Sequence, residues 1–401
     1  MRSFVDLDRT FGAQPVRLGA RLARLDVGRG REELYRDQLP ELLRTLANET
    51  RVASITASSA IEGVTVDPSR LEGLAKEGAE PRRFRNRHER EFAGYRDAID
   101  EVMRTVTLEP ISVPYILHLH RQIFRYTDGG GGQLKTDRNF IASYEHGHRE
   151  ILFTPPSRKE TEFLLPELVE RYRVAVSTEA GHPIILLGAF ILDFLAIHPV
   201  ADGNGRLARL LTTHALHEQG YGVTRYVSVE QRIFETKNAY YAALYASQRH
   251  WHDGTHDVWP WIEYLVSTLG AAYDDFEARI AARRNLGTLS KQGRVREYVL
   301  HHAAEVFRLR DVRAALPGVS DPTIRLVLSE LRSEGLIQID ETTGGPSRRR
   351  MKSAVPRRIG LRITRPTVAP AISINRFTRS PSSCCPSWTM ERTRKPSNSS
   401  W

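Results

Sequence analysis

Cysteine is nearly absent from this 401-residue chain: there are two, Cys384 and Cys385, side by side near its end. A disulfide framework and a zinc cluster built on cysteines are both excluded. Long apolar runs are missing too, since none reaches the ~18 residues a membrane span needs. The opening segment, MRSFVDLDRTFGAQ, lacks the ~7–15-residue apolar core of a secretory signal. A cytoplasmic location and no membrane partner are the expectation. Acidic residues are scarce at one end only. Residues Ser353 to Trp401 hold nine Lys and Arg against one acid, a net of +8. The whole chain carries +10, so the difference left for the first 352 residues is about +2. The basic excess belongs to the tail and says little about what the folded body binds.

What is present reads as a mostly α-helical protein. At roughly 150 residues per domain, the length suggests two or three domains. In the first hundred residues, Leu39, Leu42, Leu43 and Leu46 fall at three- and four-residue steps. A very polar stretch, PRRFRNRHEREFAGYRDAIDEV, follows a turn at VTVDPSRLEG. A helix is expected from Val113 to Tyr126, with Pro114 in its first turn. GGGG at 129–132 opens a loop, and the segment around Tyr144–Thr154 reads as a β-hairpin stopped by Pro155-Pro156. PIILLGAFILDFLAI is apolar almost all round, as a central buried helix is. It ends in HPVADGNGR, and RLARLLTTHALHEQG starts another helix. Further helices are expected from Val229 to Ser247 and from Trp259 to about Arg284.

The domain boundaries expected are 1–105, 106–283, a linker at 284–293, a unit at 294–352, and a tail at 353–401. The 294–352 pattern is helix (Arg294–Ala303), short helix (Leu309–Leu316), the turn PGVS, helix (Pro322–Glu334), Gly335 and the strand LIQID. That order is a winged helix-turn-helix. The tail is rich in Ser, Pro and Arg and is expected to be disordered. Its abrupt change of style also fits a frame-shifted end.

The stretch His198 to Arg209, HPVADGNGRLAR, carries the chemistry. A buried helix delivers a histidine to a loop, and the loop feeds a new helix. Gly203 and Gly205 let the backbone take positive φ and approach a ligand. Successive N–H groups in such a loop, ending in a helix N-terminus, form an anion cradle. Asp202 is a hard-oxygen ligand for Mg²⁺ on phosphates. Arg206 and Arg209 share a helical face and suit bidentate phosphate contact. His198 is a base candidate beside them. Together they point to phosphoryl or nucleotidyl transfer.

HPVADGNGRLAR closely resembles the signature of the Fic family, HxFx(D/E)GNGRxxR, with Val200 where the family usually has Phe. That position is expected to pack into the core. PYILHLHRQIF resembles the family's Leu-His helix, and GGQLKTDRNFI and ILFTPPS resemble the segments around its flap. ETKNAYYAALYAS and DVWPWIEYLV resemble its later helices. The resemblance implies a Fic-type helical domain with a small β-hairpin flap, and a winged helix is a frequent appendage there. It implies transfer of AMP from ATP to a Ser, Thr or Tyr hydroxyl of a protein. His198 would be the base and Asp202 the ligand of Mg²⁺, with Mn²⁺ a substitute. The backbone of Gly203 to Gly205 and the Asn204 side chain would hold the α-phosphate. Arg206 would bind the β/γ-phosphates and Arg209 the γ-phosphate. Ile151, Leu152, Phe153 and Thr154 of the flap would pair with an extended target segment. His146 and His148, in the hairpin, read as solvated turn residues, and His301-His302 as structural or exposed.

Far upstream, Ser58 to Gly63 fits the family's inhibitory pattern (S/T)xxxE(G/N). By that resemblance Glu62 would reach Arg209 and compete with the γ-phosphate, with Gly63 at the C′ position of a helix. In the winged helix, Arg325, Arg332 and the basic run SRRRMK (347–352) make DNA a candidate partner. An interaction or homodimerisation module is the equal alternative. The chain itself is a candidate target. The rival readings are a DNA-binding regulator whose Fic domain senses nucleotide, and a Fic enzyme that removes AMP or transfers another phosphate-linked group.

Overall fold

The computed structural model describes residues 2–75, 84–104, 109–137, 139–145, 148–288, 290–304, 306–340, 360–363 and 387–388. The chain divides into two compact units: Met1–Phe276 with Ser383–Trp401, and Glu277–Ser382. The boundary expected at residue 105 falls inside the first unit.

In chain order the first unit has α1 (Leu7–Phe11), α2 (Val16–Gln38), α3 (Pro40–Ile61), α4 (Pro68–Ala75), α5 (Arg87–Arg104) and α6 (Val113–Ile123). The strands β1 (Ile141–Glu145) and β2 (His148–Phe153) follow. Then come α7 (Arg158–Ser177), α8 (Pro183–Ile197), α9 (Asn204–Glu218), α10 (Val229–Glu235), α11 (Lys237–Gln248) and α12 (Trp259–Thr288), which belongs to this unit as far as Phe276. The core is organised round α8, in which every residue from Ile184 to Ile197 is buried. An all-apolar helix has no face to give to water, so neighbours must surround it. α7, α9 and α11 pack along it, and the Trp261 indole donates to the Gly188 carbonyl at 2.9 Å. Its one charged residue, Asp193, is fully buried. Three donors satisfy the carboxylate: the Ser3 N–H at 3.0 Å, the Ser3 hydroxyl at 2.8 Å and the Trp251 indole at 2.6 Å. The chain start is thereby tied to the core, because an unpartnered buried carboxylate is strongly unfavourable.

α2 and α3 are separate because Pro40 disfavours helical backbone at Leu39, which takes φ −135° and ψ 45°. α3 then lies against α5, α9 and α10. α5 comes from the stretch that reads as very polar, yet Phe92, Ala93, Tyr95, Ala98, Ile99 and Val102 line one buried face. α6 ends at Ile123, before the expected Tyr126. The helix expected from Val229 to Ser247 is two, parted at Thr236, whose hydroxyl donates to the Arg232 carbonyl at 2.7 Å. Such a side-chain bond gives the backbone an alternative to continuing the helix. β1 and β2 form the expected antiparallel hairpin, with an irregularity between Ile141 and Ala142. His146 lies outside the described residues, as does the side chain of His148.

The second unit has α13 (Lys291–His301), β3 (Val306–Phe307), α14 (Leu309–Ala315), α15 (Asp321–Ser333), β4 (Ile337–Asp340) and β5 (Gly360–Ile363). The three strands are antiparallel in the order β3-β5-β4. Val295, Phe307, Val312, Ile324 and Leu331 meet in its core. Arg325 and Arg332 are exposed on α15, and the basic run 347–352 lies outside the described residues. Two expectations are corrected. The linker at 284–293 is shorter, because α12 continues to Thr288 and α13 begins at Lys291. The tail is not uniformly without structure: it supplies β5, and β6 (Ser387–Trp388) pairs with β1 in the first unit. GLRI alternates apolar and polar residues, but four residues inside a Ser/Pro/Arg context are too few to show a period.

Candidate active site

α8 ends by handing His198 to the loop in a left-handed conformation, φ 51° and ψ 61°. A non-glycine residue there is uncommon and is held by its surroundings. Its N–H donates to the Phe194 carbonyl at 2.9 Å, and Nδ1 lies 3.2 Å from the Leu195 carbonyl. A carbonyl only accepts, so Nδ1 carries the proton and Nε2 is left as the acceptor. Burial pulls the imidazole down to about 4, so it is neutral at neutral pH. The pieces of a general base are in place: a fixed tautomer and a lone pair.

The loop after His198 is pinned from several sides. The Lys135 N–H donates to the Pro199 carbonyl at 2.9 Å, and its ammonium to the Ile197 carbonyl at 2.8 Å. The Asn139 amide donates to Val200 at 2.9 Å. Val200 itself is fully buried. The Asn204 side chain accepts from the Val200 N–H at 3.1 Å and donates to the Val200 carbonyl at 2.7 Å. The Asn204 side chain, expected on the α-phosphate, is thus bonded to both polar groups of the Val200 backbone and closes the loop. Gly203 has φ 85°, and a Cβ there would meet the Phe124 ring at 2.8 Å.

Arg206 is buried, 3.0 Å from Glu91 Oε2 and 4.9 Å above the Phe124 ring. Its Nε is a buried donor with no hydrogen-bond partner among the described residues. Arg209 donates to the Ser58 hydroxyl at 2.8 Å, the Ser58 carbonyl at 3.1 Å and Glu62 Oε1 at 2.9 Å. Burial alone would lower its pKa, but the Glu62 carboxylate holds it well above the usual value. Glu62 closes α3 in a Schellman arrangement: Gly63, at φ 75°, donates to Ala60, and Val64 to Ser59. Its carboxylate lies over Gly205, where a Cβ would come within 2.3 Å of Oε1.

These groups line one cavity of about 440 Å³. His198, Asp202, Gly205, Arg206, Arg209 and Glu62 share its wall. Tyr240, Tyr241 and Tyr245 of α11 line it as well. Of the flap residues, Leu152 lines the cavity and Ile151 is exposed. Phe153 is buried, stacked on His252 at 5.1 Å, and Thr154 accepts from His252 through its carbonyl. So Phe153 and the Thr154 backbone anchor the strand, while Ile151 and Leu152 are not buried with them. The donor set fits a nucleotide with a divalent cation: an oxygen ligand in Asp202, an unpartnered guanidinium nitrogen, and a glycine cradle.

Residues 110–216 match the family model described as the Fic/DOC family. They form a Fic/DOC domain. The chain is similar to a protein adenylyltransferase Fic of Drosophila ananassae, 29% identical over 112 residues, which is 28% of this chain and 20% of that one. It is also similar to the protein adenylyltransferase fic-1 of Caenorhabditis briggsae, 25% identical over 59% of this chain and 43% of that one. The chain thus spans between a fifth and a half of these curated relatives. Among solved structures, a Fic family protein from Desulfovibrio desulfuricans G20 has a TM-score of 0.53 at 19% identity, covering 87% of this chain and 96% of that one. A Fic domain containing signaling protein from Bacteroides thetaiotaomicron has a TM-score of 0.52 at 21% identity, covering 63% and 95%. The fold is the mostly α-helical Fic fold.

Several residues of the Fic site have no mark in the sequence. Glu91 holds Arg206, and Arg87, one turn earlier on α5, bonds Glu91 and lies 3.6 Å from Asp202. Arg87 and Glu91 look like an ordinary surface pair at i,i+4, a spacing common on solvated helices. His120 accepts from the Gly132 N–H at 2.9 Å and donates to the Asp202 carbonyl at 3.0 Å. Its helix stood out by resemblance, but only the fold shows that it holds the loop. Among the described residues no helix is long and apolar enough to cross a membrane.

Proposed function

We propose that this chain is a protein adenylyltransferase that transfers AMP from ATP to a hydroxyl of a target protein and is restrained by Glu62. The observation that supports the reading is one cavity lined by His198, whose Nε2 is left as an acceptor, together with Asp202, Gly205, Arg206 and Arg209. ATP, when bound, supplies an electrophilic α-phosphorus, with Mg²⁺ offsetting the phosphate charge. Asp202 would hold the cation, Arg206 and the loop N–H groups the phosphates, and the α11 tyrosines the base. His198 would take the proton of the Ser, Thr or Tyr hydroxyl at Nε2 as that oxygen attacks the α-phosphorus and the bond from it to the bridging oxygen of the β-phosphate breaks, releasing pyrophosphate; such base catalysis contributes typically ~10²–10⁴-fold. Ile151 and Leu152 of the flap would lie along an extended target segment.

Glu62 restrains the reaction by occupying Arg209. One guanidinium cannot serve a carboxylate and a γ-phosphate in the same geometry. Incubation of the purified chain with ATP and candidate proteins, read by mass spectrometry, tests the reading. AMP adducts are expected with Glu62→Gly protein and absent with His198→Ala. Adducts that survive His198→Ala, or full transfer in EDTA, overturn it. Removal of AMP from a pre-labelled protein, without addition, would assign the reverse reaction to the same residues.

A further inference from the structure

A second cavity, of about 350 Å³, opens on the first unit and shares no residue with the first. Five arginines line it: Arg36 of α2, Arg44 and Arg51 of α3, Arg104 of α5, and Arg225 in the turn after α9. Among the described residues, Asp100 is the only carboxylate on its wall. That carboxylate is bonded bidentately by Arg51 and lies 3.8 Å from Arg104. Two further acids stand behind the wall. Glu41 pairs with Arg44 at 2.9 Å but is largely exposed, and Glu32 lies 3.4 Å from Arg36. Glu32 is pushed up to about 7 by burial, so it neutralises Arg36 only in part. Arg225 donates a hydrogen bond to the Met103 carbonyl at 2.9 Å, which supplies no charge. On the wall itself, among the described residues, five arginines meet one carboxylate around a concave, partly apolar space that also has Leu43 and Met103 on it.

Like charges gathered from four chain segments repel one another unless an anion lies between them. Arginine's planar fork matches phosphate oxygens. The volume falls in the range of small-molecule sites rather than of a flat surface patch. We infer that this arginine cavity is a second ligand site, binding a small anion that carries two or more phosphate groups. An anion with a single phosphate would meet only part of the arginine ring.

The test is calorimetric titration of the full chain with inorganic pyrophosphate. It is done in an Arg206→Ala background, which removes a phosphate ligand from the first cavity and leaves this one untouched. Saturable binding is expected, tighter than for inorganic phosphate. It should weaken by roughly tenfold or more in Arg44→Glu/Arg104→Glu protein and by less in Arg44→Gln/Arg104→Gln. Both pairs change exposed side chains, and an unchanged melting temperature shows that they fold. Nucleoside triphosphates that bind more tightly than pyrophosphate assign a nucleotide ligand; equal binding by tripolyphosphate and triphosphates assigns an inorganic one. Absence of pyrophosphate binding, or binding undiminished in the Glu pair, overturns the proposal. The readout is binding alone, so it stands or falls apart from AMP transfer.

Discussion

His198 is one of three non-glycine residues with positive φ among those described, and its ring is already oriented for proton transfer. Because burial brings it down to about 4, it stays neutral through the mildly acidic range. The acidic limb of a pH–rate profile for AMP transfer is expected below pH 5, and a limb near an ordinary histidine's ~6.5 would contradict this. His198→Ala should abolish transfer while nucleotide affinity, followed by titration, stays within about twofold, since the base acts on the hydroxyl alone. Glu62→Gly removes a charge-assisted pair of about 1.5–3 kcal/mol and should raise transfer roughly ten- to a hundred-fold. Initial rates with radiolabelled ATP check it; equal or lower rates in folded protein sink the inhibition. His198, Asp202, Arg206 and Arg209 were legible in the sequence because they lie within twelve residues in one loop and one helical turn. Arg87 and Glu91 were not, because nothing in a linear sequence separates a solvated i,i+4 pair from one turned against a buried guanidinium.

The element that matters most is the end of α3. Gly63 at φ 75° lets the chain turn while Glu62 stays on Arg209, and nothing lies within 4 Å of a Cβ built there. Gly63→Ala therefore meets no clash but is strained in the left-handed region by about 1–2 kcal/mol. It should lower the melting temperature slightly and raise basal AMP transfer, the second by loosening Glu62. A thermal scan and a rate measured on one preparation check both signs. The Gly at C′ was readable from sequence, as was α8 from its apolar run. The break at Thr236 was not, since a threonine hydroxyl bonding four residues back leaves no pattern. Nor was the reach of α3 to α9, about 150 residues away, legible without the family's signature beside it.

At the scale of the molecule, two expectations follow from buried or paired groups. Glu32 is fully buried and is pushed up to about 7 from its usual value of 4.5. Its folded form holds the proton more tightly than the unfolded chain, so stability falls as pH rises from about 4.5 to 7 and is flat beyond. The loss is on the order of 3 kcal/mol. Glu32→Gln should flatten that slope in denaturant titrations between those pH values. Truncation after Lys352 removes β5, the middle strand of the second unit's sheet. Calorimetry should then show the second unit's transition lowered or lost while AMP transfer persists. The order of helices and of the strand β4 in that unit was readable, but the strand β5 sat in a segment whose composition hides it. Finally, the contact between Glu62 and Arg209 has a genetic consequence. On the proposed reading, in which Glu62 restrains transfer, substitutions at Ser58, Glu62 or Gly63 all act toward release, whereas restoring a lost carboxylate needs one residue at one place. Random mutation therefore drifts toward an unrestrained enzyme, and a silent one persists only in lineages where unrestrained labelling is harmful enough to be weeded out.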